Sequence, residues 1–214
     1  ASVIAAHAAG TIDTGDLTLE TQAGIIPVTL SEDGKRVTMR QIAPEFGVMP
    51  EPALVAAAIG LREEDIIAPP QLVSTGLPFI ITLLRDRVAL SCAKLNAGAV
   101  AELNDTLGSA GADAMEPFLC TLGGFTEAGD TFSRLLLLPP SSPEDPFTGS
   151  ATGAMAAYLW KHGLIESPEF AAEQGHLMDR PGLAHVRILG PRDAIEGVDV
   201  VGNGYVLMSG TLHL

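Results

Sequence analysis

The stretch Ala154-Met155-Ala156-Ala157-Tyr158-Leu159-Trp160-Lys161-His162-Gly163 decides how this chain is read, because the first ten residues repeat its plan. Ala1-Ser2-Val3-Ile4-Ala5-Ala6-His7-Ala8-Ala9-Gly10 is likewise a run of small residues closed by glycine. Such runs favour helix, and a glycine just past the last turn supplies the left-handed residue on which helices stop. Twelve residues after Gly10 comes Gln22, followed by the β-rich run 25–30. Eleven residues after Gly163 comes Gln174, followed by the run 183–189. Helix, glycine stop, glutamine-bearing strand and second strand recur in order, the mark of an internal duplication.

Outward from this repeat, β-rich runs bounded by Gly, Pro, Asp or Ser fall at 17–22, 25–30, 37–42, 78–84, 87–90, 117–121, 134–138, 183–189, 198–201 and 205–208. Helical patterns are fewer. The segment 51–59 carries Pro52 in its first turn and Gly60 past its end. The segment 97–107 puts Val100, Leu103 and Leu107 on one face and stops at Gly108, and 151–162 groups Met155, Tyr158 and Leu159. Many strands with few helices predict an α+β fold, not a doubly wound parallel sheet. The duplication predicts two lobes, a partial one over 1–50 and a second over 51–214. Nothing in the first half answers to the segment 70–153, so roughly 80 further residues are expected ahead of Ala1.

Composition narrows the partners. With 12 basic and 26 acidic residues among 214, the net charge is −14. Such a chain repels phosphate backbones and anionic lipid heads, so neither nucleic acid nor a membrane is an expected partner. No apolar run approaches the roughly 18 residues of a spanning helix. Cys92 and Cys120 are too few for a disulfide framework and sit among apolar neighbours. They are expected as small buried hydrophobes in a reducing compartment, the cytoplasm. The first residues lack the basic region of a signal peptide.

The residues that could carry chemistry cluster between the run 134–138 and the helix that follows. Pro143-Glu144-Asp145-Pro146-Phe147-Thr148-Gly149-Ser150-Ala151-Thr152-Gly153 puts small residues where a ligand could approach the backbone. The free N–H groups of a helix start, with the positive end of the dipole behind them, suit a carboxylate or phosphate. Glu144 and Asp145 could move a proton, and Ser150 could cap the helix or hold a polar ligand group. The same residues also fit an ordinary N-cap and an Asp-Pro turn, and local chemistry leaves both readings open.

Glu144-Asp145-Pro146-Phe147-Thr148-Gly149-Ser150-Ala151 closely resembles the Glu-Asp-Pro-x-Thr-Gly-Ser-Ala signature of the PhzF-like family, the phenazine-biosynthesis isomerases and their relatives. Ser133-Arg134, Ser74-Thr75-Gly76, Gln174-Gly175, Val201-Gly202-Asn203-Gly204 and Ser209-Gly210 look like that family too, so the resemblance covers essentially the whole chain. It implies a diaminopimelate epimerase-like fold, with two pseudo-symmetric lobes, each a curled, mostly antiparallel sheet around a central helix, and the active site between them. It implies a cofactor-free isomerase, a homodimer, acting by proton transfer on a small carboxylate-bearing metabolite. Asp145 and Ser150 would be catalytic. Gly149, Ala151, Thr152, Ser74, Thr75 and Gly76 would bind substrate. The family's proton-shuttling Glu and its Gly-His-Pro-Thr turn have no position here and are expected upstream of Ala1. The alternative is a binding or scaffolding protein without the acid/base partner.

Other motifs carry less. The histidines at 7, 162, 176, 185 and 213 lack metal-ligand spacing, and neither Gly-x-Ser-x-Gly nor Gly-x-Gly-x-x-Gly occurs. Gly202-Asn203-Gly204 reads as a hairpin turn, and Glu63-Glu64 as a solvated loop. A cysteine-based racemase of the same fold would carry Cys where Ser150 stands, which disfavours a two-thiol mechanism.

Overall fold

A computed structural model of the chain describes residues 2–21, 24–108 and 116–210. The first half runs α1 (Ser2–Ala8), β1 (Gly15–Thr21), β2 (Gly24–Leu30), β3 (Arg36–Gln41), β4 (Glu45–Phe46), α2 (Pro52–Ile59), β5 (Gln71–Ser74), β6 (Pro78–Leu83), α3 (Arg87–Cys92) and α4 (Ala97–Thr106). The second continues with β7 (Pro117–Leu122), β8 (Thr131–Leu136), β9 (Glu144–Asp145), α5 (Gly149–Lys161), β10 (Glu169–Gln174), β11 (Gly182–Leu189) and β12 (Gly197–Asn203).

The glycines end helices as their positions predict. Gly10, Gly60 and Gly163 adopt φ of 70°, 66° and 67°. In each case the next residue donates its N–H to the carbonyl five positions back: Thr11 to Ala6, Leu61 to Ala56 and Leu164 to Leu159. After α1 come β1, β2 and β3, paired antiparallel in succession. After α5 come β10, β11 and β12, paired in the same way. One helix followed by a three-stranded antiparallel meander therefore occurs twice. Gln22, which marked the repeat in the first copy, lies outside the described residues.

The two meanders meet edge to edge, because β3 pairs antiparallel with β12 in the register Val37↔Gly202 to Gln41↔Val198. The sheet continues β10-β8-β7-β6-β5-β4, with parallel pairing of β10 to β8 and of β6 to β7. It curls around α5, whose residues Ala151 to Leu159 are all buried. Ala151, Ala154, Ala156 and Ala157 keep this helix slim enough for sheet residues such as Ile81, Phe118, Val186 and Val198 to close on it. The strands β6 to β8 are covered on both faces. Ile81 and Phe118 face α5, while Ile80, Leu119 and Phe132 pack against α2, α3 and α4. The first meander has its own small core, where Val3 and Ile4 of α1 meet Ile26, Val28 and Leu30.

Several local expectations are corrected. Residues 87–90 form helix α3, not a strand: the Asp86 carboxylate accepts the Ala89 N–H at 2.8 Å, and Ala89 and Leu90 are buried side by side while Val88 is 69% exposed. Residues 205–208 form no strand, and Gly202-Asn203-Gly204 is no hairpin, because Gly202 and Asn203 continue the ladder to β3. Cys92 is exposed at the end of α3, whereas Cys120 is buried and its thiol pushed up to about 12 by that burial. Strands β4, β5, β9 and most of β10 are short runs that the apolar pattern does not mark.

At its far end α5 is tied to β5 and the segment before it. The Tyr158 hydroxyl donates to Pro69 O at 2.8 Å, and His162 Nε2 shares a hydrogen bond of 2.8 Å with Gln71 Oε1. Burial, aided by the Lys161 charge, holds the His162 imidazole below its ordinary pKa. The unfolded chain therefore binds this proton first as the pH falls below about 6.5, and the folded state loses stability there. Thermal melts from about pH 8 to about pH 5.5 should show a falling Tm, and His162→Gln should flatten part of that slope.

Candidate functional site

The start of α5 is built by side chains, because a buried helix end cannot leave its polar groups to water. Thr148 stands at the N-cap position, yet its side chain makes no cap. Its hydroxyl donates to Asp145 Oδ2 at 2.6 Å. The fully buried Gln174 completes the turn: Nε2 donates to Asp145 O (2.8 Å) and Thr148 Oγ1 (3.2 Å), and Oε1 accepts the Thr148 N–H (3.0 Å). Gly175 follows with φ of 85°, and any Cβ there would collide with Pro146 O and Arg180 O. Gln174-Gly175 thus holds the Asp-Pro-Phe-Thr turn in place.

The first bond characteristic of the helix runs from the Thr152 N–H to Thr148 O at 2.9 Å. The N–H groups of Gly149, Ser150 and Ala151 precede it, where helices bind anions. Ser150 is the second helical residue, not the cap expected from the sequence. It is partly exposed, while Ala151 and Thr152 are buried beneath it.

Ser150 lines a cleft of about 550 Å³. Thr21, Gln41, Thr75 and Gly76 are its other polar neighbours there, and Ile26, Met39 and Leu77 supply apolar surface. The Gln41 carboxamide donates through Nε2 to Gly149 O at 2.8 Å and accepts the Thr75 hydroxyl on Oε1. Thr75 Oγ1 also lies 3.4 Å from Ser150 O. Ser74 stands just outside, its Oγ accepting the Gly76 N–H at 3.2 Å and shaping the turn into β6.

The two acidic neighbours have different fates. Glu144 is buried and bidentate to Arg134, with Nε to Oε1 at 3.0 Å and Nη2 to Oε2 at 2.7 Å. Arg134 also donates to Leu90 O at 2.9 Å. Both Glu144 carboxylate oxygens are thus engaged by Arg134. Asp145 is partly exposed and outside the lining of the cleft. Thr75, Gly76 and Ser150 are therefore brought together, Gly149 is joined to them through Gln41, and Asp145 stands apart. Gln41 was not among the residues singled out from the sequence. The signal was present: Val37, Met39 and Gln41 alternate on one face, and an amide in a core-facing stripe must find partners.

A family model described as phenazine biosynthesis-like protein (PhzC-PhzF) matches residues 1–210. The chain is 29% identical over 185 residues to an uncharacterized isomerase of Salmonella typhimurium, covering 80% of this chain and 59% of that protein. It is 28% identical over 207 residues to the trans-2,3-dihydro-3-hydroxyanthranilate isomerase of Pseudomonas aeruginosa, covering 94% of this chain and 69% of that one. The solved structure of a Bacillus anthracis phenazine biosynthesis protein of the PhzF family superposes with a TM-score of 0.76 at 24% identity, covering 94% of this chain and 70% of that chain.

Two substitutions separate structure from site. Glu144→Gln leaves the Arg134 guanidinium buried and short of its counter-ion, and should cost about 3–5 kcal/mol in denaturant unfolding. Ser150→Ala removes no cap and should change stability by less than about 0.5 kcal/mol in the same measurement.

Proposed function

Because the chain belongs to the phenazine biosynthesis-like (PhzC-PhzF) family, we propose that it acts as a cofactor-independent isomerase that moves a proton on a small carboxylate-bearing metabolite. The observation that carries this reading is the placing of Ser150. It is the second residue of α5, among N–H groups that precede the first helical bond, and it lines a cleft with Thr75 and Gly76. A substrate carboxylate would sit on the N–H groups of Gly149, Ser150 and Ala151, with the Ser150 hydroxyl as a further donor. Ile26, Met39 and Leu77 would flank its apolar part and exclude water, which strengthens the polar contacts. Asp145 would carry the proton as general acid/base. A homodimer in the cytoplasm is the accompanying expectation.

A binding protein without proton transfer is the second reading. What favours it is that Asp145 is outside the cleft lining, with Oδ2 engaged by Thr148.

Solvent-deuterium uptake separates the two, with trans-2,3-dihydro-3-hydroxyanthranilate as the probe. The full-length protein should incorporate deuterium into the probe, and Asp145→Asn should abolish incorporation while the Tm stays within about 2 °C. Uptake unchanged in the variant would assign Asp145 to the turn, and no uptake by the parent would leave the binding reading.

A further inference from the structure

We infer that Gln41 is a positioning residue that sets the geometry of the cleft wall, tying Thr75 and the start of α5 to the end of β3; this rests on reading that cleft as the isomerase site. Gln41 is buried, yet it lines the cleft beside Thr75, which it binds, and Ser150, next to the Gly149 it also binds.

The backbone beneath it is firmly placed. Gln41 pairs with Val198 at the end of the β3–β12 ladder, and its neighbour Arg40 pairs with Asp199. The Arg40 guanidinium clamps the Asp199 carboxylate through Nε at 2.8 Å and Nη2 at 3.0 Å. This fixes where the Gln41 side chain leaves the sheet.

The carboxamide then meets α5 at close range. Gly153 lies one turn into the helix, and a Cβ there would collide with Gln41 Oε1 and Cδ. The glycine is therefore the slot that admits the amide. In that slot the amide uses both ends: Nε2 on Gly149 O, and Oε1 under the Thr75 hydroxyl. Segments of the chain that are 34 and 108 positions from Gln41 are held by one planar group.

Only an amide of this length satisfies both partners. A glutamate has no donor for Gly149 O and would set carboxylate oxygen against carbonyl oxygen. A leucine has neither donor nor acceptor, and buried partners left unmet are costly. Thr75 and Ser150 would lose their common reference, and misplacement by about 1 Å at a reacting site is enough to cost two orders of magnitude in rate.

Gln41→Glu, Gln41→Leu and Gly153→Ala test this in the full-length protein. Turnover is read as deuterium uptake into trans-2,3-dihydro-3-hydroxyanthranilate, and each rate is divided by the folded fraction. Each variant should lose about tenfold or more in kcat per folded molecule, beyond whatever Tm it loses. Crystal structures of Gln41→Leu and Gly153→Ala should show Thr75 Oγ1 and the Gly149–Ser150 backbone displaced. Unchanged kcat per folded molecule, with loss of Tm alone, would make Gln41 a purely structural residue and overturn the inference. If the parent protein does not turn over the probe, the isomerase reading fails instead, and the crystal structures alone decide. A cleft wall left in place in both variants then overturns the positioning role.

Discussion

The burial of α5 on every side is the constraint from which the rest follows. A helix apolar all round has to be enclosed, and here a single curled sheet encloses it. Enclosure demands small residues, which is why alanine and glycine dominate its first two turns. Side chains and backbone from the surrounding elements close both ends. The far end is closed by Gly163 and the Tyr158 and His162 hydrogen bonds. The near end is closed by Gln174, Thr148 and Gln41, and the N–H groups of Gly149, Ser150 and Ala151 precede the first helical bond there. The candidate site is thus the place where a buried helix begins.

The duplication explains why a cleft lies there. The two meanders join through β3 and β12, and each joining strand ends against the helix of the other unit. Gln41, closing β3, enters the slot at Gly153 of α5. Gly204, just past β12, comes so near Ile4 of α1 that a Cβ would stand 2.7 Å from its Cδ1. The same crossing is used twice, once with an amide in a glycine slot and once with a glycine beneath an isoleucine. The cleft lies against the first.

The parts legible in the sequence were those governed by local rules. A small-residue run closed by glycine needs no tertiary partner to be read as a helix, so α1 and α5 stand where their sequences put them. The Asp-Pro-Phe-Thr-Gly-Ser turn was equally plain. What stayed hidden depended on partners distant in sequence. The segment 87–90 alternates like a strand, but the Asp86 cap and the joint burial of Ala89 and Leu90 make it helical. Ser150 has the composition of an N-cap, yet Gln174 holds the turn two residues earlier and moves the cap position to Thr148. The alternation of β3 marks Gln41 as inward-facing, but its partners were hidden because they lie in the turn after β5 and in α5. The placing of Cys92 failed for a similar reason: apolar neighbours in sequence do not fix which side of a short helix faces water.

Glu144 and Asp145 show how backbone geometry divides chemistry between adjacent residues. Consecutive side chains of a strand point to opposite faces, so in β9 the two carboxylates part company. Glu144 turns toward Arg134, which also reaches Leu90 O and so links β8 to α3. A buried ion pair is tolerable only when its donors and acceptors are met, and this one meets both carboxylate oxygens. Asp145, on the other face, is held by one hydroxyl through one oxygen and remains partly exposed. The strand's alternation therefore decides which carboxylate is buried in the ion pair and which stays partly exposed.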